Sequence, residues 1–117
     1  MTFKFKNVYL NETATVVGPY ENKGPLSKYF DKSYDNLYAN EKTFELAETK
    51  MLNDSVNILL NKMNKNSADV FLSGDLLNQI IPSNLTALEQ KIPFLGLYNA
   101  CATSMEGIII GSTLIDS

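Results

Sequence analysis

Residues 103–116, Thr-Ser-Met-Glu-Gly-Ile-Ile-Ile-Gly-Ser-Thr-Leu-Ile-Asp, form a stretch of helical length that is apolar nearly all round, with Gly107 and Gly111 four apart. An amphipathic helix hides one stripe, whereas a helix apolar on every side needs neighbours on every side. The stretch is far short of the roughly 20 residues that span a bilayer. It reads as a buried helix. The rest of the chain is expected to fall short of surrounding it, so the sequence is read as part of a larger structure.

The other elements follow from periodicity. Residues 3–10 alternate apolar and polar and predict a strand with one wet face. Residues 11–40 are rich in turns, punctuated by Gly18-Pro19 and Gly24-Pro25, and a segment so long without a regular period is usually functional or packed over something else. Phe30, Tyr34 and Tyr38 recur every four residues there, a spacing read as packing of this segment over its own domain. Residues 41–65 predict the clearest helix, with Phe44, Ala47, Met51, Leu52, Ser55, Leu59 and Met63 on one face, glutamates early and lysines late. Residues 69–74 predict a short apolar strand, and residues 83–91 a helix capped by Ser83 or Asn84. Residues 92–98 predict a strand with Pro93 at its start, where a missing amide costs least. Strand and helix alternate three times, which predicts an α/β fold with a mostly parallel sheet and the buried helix last.

Composition removes several functions. The sequence has 117 residues, 44% of them hydrophobic, which calls for a packed core. Its ten basic residues are all lysines against thirteen acidic ones, a balance that argues against a nucleic-acid partner. Without histidine, no Ser-His-Asp or Cys-His pair can be completed from these residues. Neither a metal site nor a cofactor motif is expected: Asp31, Ser33 and Asp35 have the early spacing of a calcium loop, but Asn36 and Lys42 stand where that loop needs glycine and glutamate. The N-terminus lacks the continuous apolar core of a signal peptide.

Chemistry concentrates at Tyr98-Asn-Ala-Cys-Ala-Thr-Ser-Met-Glu-Gly107, where a strand ends and the apolar helix begins. A side chain there lies near the positive end of the helix dipole, and backbone amides are available to an anion. Three readings of Cys101 remain open from the residues alone: an activated nucleophile, the wall of a carboxylate pocket, or a small buried hydrophobe. The pair Gly107 and Gly111 is expected to permit close approach of a second buried helix.

The sequence at 99–106 resembles the nucleophile turn of the thiolase and ketoacyl-synthase superfamily, in which a cysteine heads a buried central helix. Residues 24–35 (Gly-Pro-Leu-Ser-Lys-Tyr-Phe-Asp-Lys-Ser-Tyr-Asp), 72–79 (Leu-Ser-Gly-Asp-Leu-Leu-Asn-Gln) and 91–95 (Lys-Ile-Pro-Phe-Leu), with the cysteine turn, resemble in order and spacing the stage V sporulation protein AD family. The resemblance runs from about Ala14 to Asp116 and reaches only the N-terminal third of that family's members. It implies a partial thiolase-like fold used for binding rather than acyl transfer, and a sporulation protein that binds dipicolinic acid, alone or as its calcium chelate. It also implies support for uptake of that compound into the forespore beside other stage V sporulation membrane proteins, at the cytoplasmic side of the forespore or spore inner membrane. A homodimer is implied for the full-length protein, through the strand at 92–98. Binding is then expected at Cys101, Ala102, Thr103 and Ser104, and at Asp75 and Asn78, which follow the second apolar strand, because ligands gather at the carboxyl ends of parallel strands. Asp75, a poor anion ligand by its charge, is expected to hold a calcium ion carried with the ligand, to orient amides or to serve only as a helix cap. Cys101 is also the candidate nucleophile if the chain keeps the superfamily's acyl transfer. A fragment without independent activity is the remaining alternative.

Overall fold

The computed structural model describes residues 2 and 4–117. Strands and helices alternate in an α/β arrangement: β1 (Val16–Val17), α1 (Pro19–Asn22), β2 (Lys32–Ser33), α2 (Phe44–Lys62), β3 (Phe71–Ser73), α3 (Ile81–Gln90), β4 (Phe94–Gly96) and α4 (Thr103–Asp116). Single 3-10 turns precede β2, α3 and α4. Both ladders are parallel, as expected, but the strands form two separate pairs, β1 with β2 and β3 with β4.

The strand expected over 3–10 is absent from residues 4–10, and Phe3 lies outside the described residues. A strand needs an edge to pair with, and alternation does not supply one. Tyr9 and Leu10 stand exposed, and the Lys6 amide instead donates to the Asp116 carboxylate at 2.9 Å. The first ladder lies in the turn-rich region, where Val16 faces Lys32 and Val17 faces Ser33.

Segment 32–41 packs over α2, as the aromatic spacing suggests. Tyr34 is buried with Ala39 and Ala47 in a small core that Val16 and Met51 flank. Its hydroxyl donates to Asp54 on α2, and Lys32 reaches the same carboxylate at 2.7 Å. Although burial opposes it, these two partners hold the Asp54 carboxyl below its usual range. Tyr38 stacks on Phe44 with ring centroids 4.4 Å apart.

Helix α2 starts where the Thr43 hydroxyl accepts the Leu46 amide at 3.2 Å, and Glu45 and Lys62 complement its dipole. Its core face differs from the apolar stripe expected of it. The buried positions are Ala47, Thr49 and Asn53, whereas Phe44 is exposed. This small, polar strip meets α3 through hydrogen bonds: Asn53 donates to Glu89 at 2.8 Å, and Gln90 donates to Asn53 at 2.9 Å. Met51, Leu52, Ser55 and Leu59 are half-buried on another face.

Helix α3 begins two residues before the expected start, with Pro82 in its first turn. Gln79 and Ile80 precede it with φ of 54° and 48°, and a left-handed β-branched residue is strained. Burial to 2% exposure holds Ile80 there. Ser83 and Asn84 do not cap the helix: Asn84 donates back to the carbonyls of Gln79 at 2.9 Å and Ile80 at 3.0 Å.

Helix α4 has the expected bounds but is not buried within this chain. One stripe lies on the β3–β4 pair, while Ile108, Ile109, Leu114 and Ile115 are all about half exposed or more. Within this chain the two glycines lie against leucines of the β3–β4 layer. A Cβ on Gly107 would lie 3.2 Å from Leu97 Cδ1, and one on Gly111 would lie 3.2 Å from Leu72 Cδ1. Among the described residues, no helix is long and apolar enough to cross a membrane.

Candidate functional site

Parallel pairing brings the carboxyl ends of β3 and β4 side by side, with Ser73 opposite Gly96, and the Leu97 amide donates to the Ser73 carbonyl at 2.9 Å. The chain then leaves both strands on the same side. Gly74 makes this crossing possible: a Cβ there would fall 2.1 Å from the Leu97 carbonyl oxygen and 2.8 Å from Thr103 Cγ2. Any side chain at 74 would push the first residue of α4 off the strand ends.

Asp75 follows and fastens the next helix. Its carboxylate accepts the Leu77 amide at 3.0 Å, the Ser83 amide at 3.1 Å and the Ser83 hydroxyl at 2.7 Å. Ser83 is fully buried, and its hydroxyl also lies 3.0 Å from that of Ser73. Asp75 thus caps α3 from outside the helix.

On the β4 side, Ala100, Cys101 and Ala102 form a 3-10 turn that runs into α4. Ala100 has φ of 44°, a strained value beside the cysteine. The Thr103 hydroxyl accepts the Asn99 amide at 3.3 Å and the Thr103 amide donates to the Ala100 carbonyl, while among the described residues no side chain caps the amides that follow in α4. A helix start left in this way suits an anionic group.

These pieces border an open hollow of about 770 Å³. Leu72, Leu97 and Ile108 give it apolar walls, and Cys101, Thr103 and Ser104 line the side toward α4. Cys101 is exposed rather than buried, so its sulfur is not a core hydrophobe in this chain. Of the residues expected at the site, Asp75, Cys101, Thr103 and Ser104 come together on its wall. Asn78 belongs to the 3-10 turn before α3 and Ala102 to the turn before α4; both are exposed and neither lines the hollow.

Glu48 is the wall residue that the sequence reading passes over. It lines this hollow and a second one of about 440 Å³ beneath β1, and both hollows also share Gly74 and Asp75. Burial raises its carboxyl above the usual range, and the negative Asp75 adds to that. Its signal lies in the helical spacing. Glu48 continues the row Leu52, Ser55 and Leu59 by one turn toward the helix start, so it shares their face.

The sequence profile of Stage V sporulation protein AD matches residues 1–117. Over 111 residues, the chain is 44% identical to the protein named "Stage V sporulation protein AD" of Bacillus subtilis (strain 168), covering 93% of this chain and 33% of that protein. The chain therefore spans about a third of the length of the curated relative it matches.

Proposed function

Because the chain belongs to the stage V sporulation protein AD family, we propose that its cysteine-turn hollow binds dipicolinic acid and that the protein supports uptake of this compound into the forespore. One observation carries the reading: α4 opens, without a side-chain cap, onto a hollow of about 770 Å³ with apolar walls. Pyridine-2,6-dicarboxylate is a flat dianion. A carboxylate suits the amides at the helix start, and the ring suits Leu72, Leu97 and Ile108. Asp75 lines the hollow but serves to hold it together, since both of its oxygens accept from the amides and hydroxyl it fixes in place. In this reading other stage V sporulation membrane proteins provide the passage through the membrane, and full-length copies pair along β4.

Calorimetric titration of dipicolinate into the chain tests this. Saturable heat is expected, and Ser104→Asp, which adds a negative charge to the same wall, is expected to weaken the affinity by about tenfold. No saturable heat, or equal affinities, would overturn the assignment.

A second reading rests on the exposed thiol of Cys101 beside the strained Ala100. It is acyl transfer through a thioester on Cys101, with the base supplied from outside this sequence, which holds no histidine. A mass increase on Cys101 after incubation with an acyl thioester, absent in Cys101→Ser, would favour it.

A further inference from the structure

Few acidic side chains line the two hollows. Helix α2 contributes Glu48 and the β3–α3 turn contributes Asp75; the turn before α4 adds Cys101, and Thr15 with the β1 residues Val16 and Val17 adds no ionisable group. The α2 lysines turn elsewhere. Lys50 pairs with Glu41 at 3.1 Å, and Lys62 pairs with Asp31 at 2.6 Å. Asp75 is held by three hydrogen bonds to its own chain. No hydrogen bond or ion pair to Glu48's carboxyl is found among the described residues, so Glu48 is the carboxyl whose charge the hollow feels directly.

We propose that Glu48 is a discriminating residue of the cysteine-turn hollow: ionised, it repels an anionic ligand, and protonated, it admits one. The proposal rests on the reading of this hollow as a dicarboxylate site. The helix start attracts negative charge, and Glu48 on the lining of the same hollow opposes it, so the protonation of one side chain sets the balance. Burial and Asp75 both favour the protonated form, which brings this change nearer to neutral pH than an exposed glutamate would. The ligand is then taken more tightly as pH falls through the Glu48 titration. A monocarboxylate is penalised less than a dicarboxylate, because the repulsion scales with ligand charge.

Cys101 lies on the same wall and provides a probe independent of dipicolinate. The ratio of its alkylation rates by iodoacetate and by neutral iodoacetamide reports the field that an anion meets, since the thiol's own ionisation cancels. In the unaltered chain this ratio is expected to fall about threefold as pH rises through the Glu48 titration. Glu48→Gln is expected to hold the low-pH value throughout, and Glu48→Asp, which keeps the charge, to retain the fall. At pH 8, Glu48→Gln is expected to bind dipicolinate about fivefold more tightly. A Glu48→Gln chain whose ratio still falls and whose dipicolinate affinity is unchanged overturns the inference but leaves the binding reading standing. A flattened ratio without dipicolinate binding in either chain supports control by Glu48 and overturns dipicolinate as the ligand.

Discussion

Asp75 is a single carboxylate on which two structures depend. It fixes the Ser83 amide and hydroxyl at the start of α3, and it lines the same hollow as Cys101. Removing it leaves the fully buried Ser83 with an unanswered donor, a loss larger than that of an exposed cap. Asp75→Ala is expected to destabilise the chain by about 2 kcal/mol, read as a lower urea midpoint with unchanged slope. An unchanged midpoint would contradict its role as the cap. The sequence placed Asp75 correctly after a strand but could not assign its partner, because Ser83 lies eight residues away and on another element. Glu48 was hidden by its neighbours for a related reason. Among the acidic residues early in α2 it reads as a complement to the helix dipole, and only the fold turns it toward the hollow.

Helix α4 shows how much an element can reveal from its own residues. Its bounds follow from apolar content and the small residues before it, and they hold. What it packs against depends on residues elsewhere in the chain: Gly107 and Gly111 admit Leu97, just after β4, and Leu72 of β3. Gly111→Ala is expected to be close to neutral, since the roughly 1 kcal/mol gained in helix propensity offsets a slight crowding of a flexible leucine tip. Gly111→Leu is expected to cost about 1–3 kcal/mol by overpacking, measured by denaturant unfolding. Equal stabilities for the two variants would show that α4 does not press on the sheet. The strand expected over 3–10 failed for the opposite reason: its pattern is local, and its pairing partner is not found among the described residues.

At the scale of the whole molecule, the chain combines a well-knit polar layer with a bare apolar one. The contact of α2 with α3 is built of small and hydrogen-bonded residues, and Thr86, Pro82 and Ser83 are the largest side chains wholly enclosed. Large apolar residues gather instead at the surface, with Met105, Ile108, Ile109, Leu114 and Ile115 all about half exposed or more. The sequence announced this imbalance, since a helix apolar all round within an otherwise modestly apolar chain cannot be satisfied locally. Its consequence for the site is an open hollow, with Cys101 accessible on one wall and the uncapped start of α4 beside it. The rate at which iodoacetamide alkylates Cys101 as dipicolinate is added measures whether the ligand enters that hollow. A saturable slowing of about tenfold or more is the expected result, because a ligand seated at the helix start covers the sulfur. A rate unmoved across the whole concentration range would contradict the assignment of this hollow as the binding site.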